Sequence, residues 1–96
     1  MFARVDTLVG RGSKLEEASA VLESSLEGFL GAEGFGGAFL LVSSQSGKVM
    51  WITLWETEED LVQGAWGMSA IRDRLIAAVG GSAGPTERFD VPVHVG

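Results

Sequence analysis

The densest set of polar side chains that could do chemistry lies near the two ends of the chain. It comprises residues of the first and last predicted strands, namely Arg4, Asp6, Arg88, Asp90 and His94. An arginine beside a carboxylate can orient a phenolate or carboxylate ligand, and His94 is the only histidine of the chain. The competing interpretation is a set of cross-strand ion pairs at a sheet margin, with His94 a solvated strand end. We therefore treat Arg4, Arg88 and His94 as candidate ligand-binding residues and assign no catalytic residue.

Two tryptophans are spaced so that one ligand could contact both rings. Trp55 ends a predicted strand, and Trp66 lies in the helix that follows, so a helix folded back on the sheet would bring both rings to one cavity. Flat aromatic ligands stack well on such rings. The alternative is that both are core residues, with Trp66 filling a kink beside Gly67. Arg72, further along the same helix, either reaches this pocket or belongs to a solvated run of charges.

Composition argues against several other kinds of site. The chain has no cysteine, which excludes disulfides, thiolate nucleophiles and thiolate metal ligands. The lone histidine and the scattered acids lack the spacing of metal ligands, and no Ser-His-Asp set can be argued. We expect neither a metal ion nor a cofactor.

Charge and hydropathy point to the kind of partner. The chain has 13 acidic and 7 basic residues, a net charge of -6, and no cluster of Lys or Arg, so nucleic acid is not an expected partner. No apolar stretch approaches the roughly 20 residues that span a bilayer, and the first residues carry charges where a signal peptide is apolar. We expect a cytoplasmic protein without membrane contact.

Hydrophobic periodicity divides the chain into six elements. Alternating or continuous apolar residues predict strands at 2–9, 38–43, 48–55 and 86–95. Apolar residues three and four apart predict a first helix from about residue 14, with Ser13 as its N-cap and Gly31 as its stop. A second helix begins after Thr57 and kinks or breaks near Gly67. The glycine-rich segment 80–85 is predicted to be a loop.

The order of these elements, β-α-β-β-α-β, predicts a fold for residues 1–96 as a single domain. Its most economical form is the ferredoxin-like arrangement, an α+β fold with a four-stranded antiparallel sheet and both helices on one face. The hairpin strands are nevertheless apolar on both faces. One predicted set contains Phe39, Leu41, Trp51 and Trp55, and the other contains Leu40, Val42, Met50, Ile52 and Leu54.

Two helices can cover only one of these sets. Leaving the other in water would cost about 1.5–3 kcal/mol for each large side chain, more than a domain of this size can lose. The sequence therefore predicts a homodimer in which sheet packs on sheet. The alternative is a monomer whose terminal strand or loops fold over the open face.

Several stretches resemble one known superfamily. They are the opening strand at 1–5, the glycine-rich 34–38, the hairpin turn at 46–48 and the strand-to-helix passage at 52–59. With these, the chain resembles the dimeric α/β-barrel superfamily, and within it the antibiotic-biosynthesis-monooxygenase-like proteins. The resemblance implies a barrel made of two sheets, with a flat aromatic substrate held between sheet and helices. Trp55 matches the tryptophan that closes the third strand in that family.

The resemblance also implies two families of reaction. Its members include cofactor-independent oxygenases of quinols and aromatic polyketides, and haem-degrading enzymes. This chain has no Asn and no Tyr, and it reads Gly-Ala-Trp-Gly at 64–67, where several branches carry a histidine. Oxygenation without a cofactor requires a stabilised substrate anion, a role that Arg4, Arg72 or Arg88 could fill.

The sequence thus predicts a small homodimeric barrel that binds a hydrophobic or aromatic small molecule. Cofactor-independent monooxygenation of quinol-like or polyketide-like substrates is the activity that the resemblance implies. The first alternative is a non-catalytic ligand-binding or interaction module that retains the fold but has lost the chemistry. A dimer that serves only as a structural partner is a further alternative.

Overall fold

One antiparallel sheet with two helices forms the framework of the computed structural model, which describes residues 1–10 and 14–96. In chain order the elements are β1 (Phe2–Val9), α1 (Leu15–Glu27), β2 (Phe35–Ser43), β3 (Lys48–Trp55), α2 (Glu58–Val79), β4 (Ser82–Ala83) and β5 (Glu87–Asp90). β3 lies between β2 and β1, and both β4 and β5 pair with the other edge of β1. This order confirms the predicted ferredoxin-like arrangement.

Both helices pack on the same face of the sheet. That face carries Leu8 of β1 and Val49, Trp51 and Trp55 of β3, all of which are buried. The helices contribute the rest of the core, namely Leu15, Ala18, Leu22 and Leu26 of α1 and Leu61, Met68, Ile71, Leu75 and Val79 of α2. Their three- and four-residue spacing gives each helix one apolar face, which accounts for the layered packing.

Helix α1 begins close to the predicted position but ends earlier. Its first residue is Leu15 and its N-cap position is Lys14, which makes no side-chain capping hydrogen bond. The predicted cap, Ser13, lies outside the described residues. The helix ends at Glu27, and the segment up to Gly31 forms turns instead. The observed C-cap is Gly28, so the predicted stop was three residues late.

Helix α2 begins as predicted but does not break. The Thr57 side chain accepts a hydrogen bond of 3.1 Å from the Asp60 backbone N–H, which confirms the N-cap. The helix then runs without interruption to Val79, so the predicted break near Gly67 does not occur. Gly64 and Gly67 instead leave room for neighbouring side chains, because a Cβ at either position would overlap an aromatic ring. Helix packing outweighs their low helix propensity.

The register of the β2–β3 hairpin decides which side chains share a face. Leu40 lies opposite Trp51, whereas Phe39 lies opposite Ile52 and Leu41 opposite Met50. Residues directly opposite in an antiparallel pair project to the same face. The prediction that Phe39 and Leu41 share the face of the tryptophans is therefore wrong by one residue. A turn closed by the Gly47 N–H on the Ser43 carbonyl sets this register.

The C-terminal strand is shorter than the predicted 86–95. β5 contains only Glu87–Asp90, and the ladder continues for one further bond, from the Val91 N–H to the Met1 carbonyl. Pro92 has no N–H to donate, so it cannot continue the ladder as a donor. The predicted loop at 80–85 also contains a short strand, β4, which pairs with the end of β1.

Candidate functional site

A buried ion pair occupies the helix-covered face of β1. Arg4 donates from Nε to Asp6 Oδ2 and from Nη2 to Asp6 Oδ1, both at 3.0 Å, and from Nη1 to the Ala65 carbonyl at 3.2 Å. Thr86 Oγ1 donates to Asp6 Oδ1 at 3.0 Å. Arg4 is 5% exposed and Asp6 is 0% exposed. Asp6 accepts two hydrogen bonds from the Arg4 guanidinium and neutralises its charge. Arg4 is therefore not free to bind a substrate anion.

Three aromatic rings cluster where β3 ends. The ring centroids of Phe35 and Trp55 are 5.3 Å apart, those of Phe29 and Trp55 are 6.3 Å apart, and those of Phe29 and Phe35 are 6.1 Å apart. Two of the three contacts are edge-to-face, the arrangement that the ring quadrupoles favour. Trp55 Nε1 donates to Thr53 Oγ1 at 3.0 Å, which fixes the indole. We call Phe29, Phe35 and Trp55 the aromatic cluster.

Trp51 differs from Trp55 in its hydrogen bonding. It is fully buried, and its Nε1 has no hydrogen-bond partner among the residues that the structure describes. An unpaired buried donor costs about 1–3 kcal/mol. Trp51 lies opposite Asp6 in the β1–β3 register, so the unpaired donor belongs to the same face as the ion pair.

A cleft opens between α1 and the edge strand β2. It has a volume of about 330 Å³ and reaches the aromatic cluster at Phe35. Its apolar walls are formed by Leu26 and Leu30 from the helix side and by Phe35 and Leu40 from the strand. Such a cleft can take up a small hydrophobic molecule.

A second, smaller cavity lies on the other side of the aromatic cluster. It has a volume of about 190 Å³ and is lined by Phe29, Trp55 and Gly64, with the carboxylates of Glu33 and Asp60 among its walls. Phe35 lines the cleft, Trp55 lines the smaller cavity, and the two rings are in contact. The position carried over from the family resemblance, Trp55, therefore adjoins the smaller cavity and reaches the cleft only through Phe35.

Trp66 does not join Trp55. Its side chain is 87% exposed, whereas Trp55 is buried. In the continuous helix, Gly64 and Gly67 face the aromatic cluster, and successive residues are turned by roughly 100°, so Trp66 faces outward. The prediction that both tryptophan rings line one cavity is therefore wrong.

The remaining predicted site residues lie apart from one another. Arg88 is exposed on β5, and it lies opposite Arg4 and lines a cavity of about 210 Å³ with Phe2 and Asp90. Arg72 is half-buried on α2, with its Nε 3.6 Å from Asp73 Oδ1. His94 is exposed beyond the end of β5. The structure confirms that β1 and β5 are neighbours, but it does not assemble these arginines into one anion site.

The sequence reasoning missed the walls of the cleft. The signal was present in α1, where one helical face mixes apolar and acidic side chains. At steps of four and three residues this face carries Ser19, Glu23 and Leu26, with Glu27 beside them, and Leu30 follows in the turns after the helix. A helical face that mixes apolar and acidic side chains also occurs where the apolar and polar faces of an ordinary amphipathic helix meet. The sequence does not show that a cleft separates this face from β2.

The residues that the structure describes contain neither a candidate metal centre nor a candidate membrane-spanning helix. There, no group of three or more His, Asp or Glu side chains is arranged to hold a metal ion. Neither of the helices within 1–10 and 14–96 is long and apolar enough to cross a membrane.

The architecture defines a class of protein: a ferredoxin-like α+β domain with a hydrophobic cleft beside an aromatic cluster. No protein-family model matches the sequence. No curated protein matches it significantly either. Solved structures, however, match it over nearly its whole length.

These structural neighbours are antibiotic-biosynthesis-monooxygenase-like proteins. A candidate antibiotic biosynthesis monooxygenase from Deinococcus radiodurans superposes with a TM-score of 0.79 at 11% identity, covering 100% of this chain and 97% of its own. A mutant of SnoaB, a cofactor-independent oxygenase from Streptomyces nogalater, gives a TM-score of 0.76 at 15% identity and covers 98% and 95%. The haem-degrader MhuD from Mycobacterium tuberculosis gives 0.75 at 19% identity and covers 100% of both chains.

The resemblance drawn from the sequence is thereby confirmed at the level of fold. The chain has the fold of the antibiotic-biosynthesis-monooxygenase-like proteins. Identities of 11–19% show a common fold and do not transfer an activity.

Proposed function

We propose that the protein is a homodimer that binds a hydrophobic, aromatic small molecule in the cleft between α1 and β2. The observation that carries this proposal is the cleft itself, about 330 Å³ with apolar walls that end at the aromatic cluster. Phe35 offers a ring edge or face to a flat ligand. The volume suits a molecule of two or three fused rings better than a macromolecular segment.

The homodimer is proposed from the face of the sheet that the helices leave open. Phe39, Leu41 and Phe89 are 55%, 48% and 47% exposed in the single chain. Their registers place them on the face of Ile52, Met50 and Ala3, respectively. A contiguous apolar surface of this kind favours association. A second copy would present the same surface, which satisfies the symmetry of a two-fold interface.

Cofactor-independent monooxygenation of a quinol-like or polyketide-like ligand is the enzymatic form of this proposal. It is supported by the fold shared with SnoaB and by the position of Trp55 behind the cleft. We do not extend haem degradation to this chain, because its only histidine is exposed at position 94, away from both cavities.

A non-catalytic ligand-binding module is the second candidate. One observation favours it: the arginines expected to stabilise a substrate anion do not line the cleft. Arg4 is committed to Asp6, and Arg72 and Arg88 lie on other surfaces. The two candidates share the binding site and differ only in whether oxygen is consumed.

Fluorescence and oxygen uptake measured together separate the two candidates. The experiment uses the Trp66→Phe variant, because the exposed Trp66 would add emission that does not report on the cleft. An anthrone and a simple quinol are added in turn. Quenching of the buried tryptophans with oxygen uptake above the uncatalysed rate supports a monooxygenase, whereas quenching alone supports the binder. Absence of quenching with every aromatic compound would contradict binding itself.

A variant that fills the cleft tests its location. Ala38 lines the cleft on β2, and Ala38→Phe would occupy much of the ligand's volume. We expect the Kd of a bound aromatic ligand to rise at least about tenfold, because steric exclusion removes apolar contact worth more than 1.4 kcal/mol. The matched control is Ala70→Phe at an exposed position of α2, with far-UV circular dichroism to confirm folding. Unchanged affinity in Ala38→Phe would place the ligand elsewhere.

A further inference from the structure

We propose that the cleft between α1 and β2 selects a hydrophobic ligand that carries a cationic amine. This inference rests on the proposed binding function and adds the charge of the ligand to it. It replaces the expectation, drawn from Arg4, Arg72 and Arg88, that the ligand is an anion.

Two carboxylates stand on the helical wall of the cleft. Glu23 and Glu27 are four residues apart on α1 and both line the cleft beside Leu26. Both are exposed, and neither has an ion-pair or hydrogen-bond partner among residues 1–10 and 14–96. Their charges are therefore available to a ligand whose apolar body lies against Leu30, Phe35 and Leu40.

None of the described cations of the protein lines this cleft. Arg4 pairs with Asp6, Lys14 with Glu17 and Arg72 with Asp73, while Arg74 donates to Ser25 Oγ, Lys48 lies on β3 and Arg88 on β5. The smaller cavity behind the aromatic cluster has the same character, since Glu33 and Asp60 are its only charged lining residues among those described. Among the described residues, the charged side chains that line the cleft and the smaller cavity are thus all acidic.

Apolar walls and a carboxylate rim together define the ligand chemistry. An aromatic or aliphatic body gains free energy by leaving water against the walls of the cleft. An ammonium group at the rim keeps much of its hydration while it is attracted by two carboxylates, whereas a carboxylate or phenolate there is repelled. Exposed ion pairs contribute little individually, so each glutamate is expected to change the affinity by up to about fivefold. The two together predict a preference of roughly tenfold for the amine over its neutral analogue.

Three probes of one shape test this charge preference. We would use 1-naphthylmethylamine, 1-naphthylmethanol and 1-naphthylacetate as the cationic, neutral and anionic members, and measure their Kd values by calorimetry. The expected order of affinity is amine, alcohol, acid. Because the interaction is between exposed charges, the difference should largely disappear between about 20 mM and about 500 mM salt, while the Kd of the alcohol changes little.

Matched charge variants locate the origin of the preference. In the double variant Glu23→Gln/Glu27→Gln, the amine should bind about tenfold more weakly. The acid should bind more tightly, and the Kd of the alcohol should not change. Glu17→Gln removes one acidic charge from α1 outside the cleft lining and should preserve the order. The glutamine side chains keep the size and helix propensity of glutamate, so the fold is not at risk.

The outcomes distinguish this inference from the binding function on which it rests. Equal affinities for all three probes would overturn the charge preference and leave the binding proposal standing. An amine preference that survives in the double variant would also overturn it, because the charges of the cleft would not be its cause. If none of the probes binds, the binding proposal and the charge preference both fall. Dissociation of the homodimer by Leu30→Asp would then indicate that the second copy occupies the cleft.

Discussion

At the scale of single residues, the main role of the buried polar groups of the sheet is to stabilise the fold. Arg4 and Asp6 neutralise each other beneath α2, with Thr86 and the Ala65 carbonyl completing their hydrogen bonds. A buried pair of this kind is costly to break, because removing one partner leaves the other charged and desolvated. Replacing both partners with apolar residues is far less costly.

The first prediction concerns this pair. Asp6→Ala should lower the free energy of unfolding by about 3–5 kcal/mol, whereas Arg4→Met/Asp6→Leu should remain within about 1.5 kcal/mol of the parent. Urea unfolding at one fixed protein concentration gives both values. A loss below about 1 kcal/mol in Asp6→Ala would contradict the interpretation and indicate that water reaches Arg4.

The two buried tryptophans allow a matched comparison. Trp55→Phe removes the Nε1–H group that donates a hydrogen bond to Thr53 Oγ1. Trp51→Phe removes an Nε1–H group that has no hydrogen-bond partner among the described residues. Both changes remove similar ring volume. We expect Trp55→Phe to be more destabilising than Trp51→Phe by about 1–2 kcal/mol in urea unfolding. Equal losses would show that Trp51 Nε1 has a partner, such as a bound water molecule.

At the scale of elements, the glycines of α2 are explained by the rings packed against them. Gly64 meets the buried ring of Trp55, and Gly67 meets the half-buried ring of Phe29. Propensity alone favours alanine at both positions. Packing against the rings favours glycine. Whether alanine stabilises or destabilises the fold depends on whether the ring can move.

Gly64→Ala should therefore destabilise the fold by about 1–3 kcal/mol, as expected for overpacking against a buried ring. Gly67→Ala should have a smaller effect, because Phe29 is half-buried and can turn aside. Thermal and urea unfolding measure both, and Gly31→Ala, where an added Cβ would contact nothing, serves as the control. Stabilisation by Gly64→Ala would mean that helix propensity outweighs packing here.

At the scale of the whole molecule, the uncovered face of the sheet should determine assembly. Leu41 lies in β2 with its side chain on that face, so Leu41→Glu would place a charge in the proposed interface. We expect the parent to have a mass of about twice 10.1 kDa and the variant to be monomeric, because a buried unpaired charge opposes association. Light scattering at micromolar concentration checks this.

The matched control for assembly is Trp66→Glu. Trp66 is the most exposed of the large aromatic side chains described, but it lies on the helical surface rather than on the open sheet. The same charge there should leave the dimer intact. A monomeric parent protein, or dissociation by Trp66→Glu alone, would contradict the proposed interface.

Local sequence patterns were sufficient for the order and type of the main elements. Alternation in β1, the continuous apolar run of β3, the three- and four-residue spacing in both helices and the Thr57 cap each depend on near neighbours in the chain. The excess of apolar residues in the hairpin also follows from composition alone. These features therefore determined the fold class and the expectation of a partner.

Tertiary structure decided the features that depend on distant residues. The β2–β3 register reversed the face of Phe39 and Leu41, and the unbroken α2 turned Trp66 outward. Neither outcome is visible locally, because a shift of one residue in a strand, or the fit of a glycine against a distant ring, changes no local pattern. The cleft arises in the same way, since the distance between α1 and β2 is set by everything packed between sheet and helices.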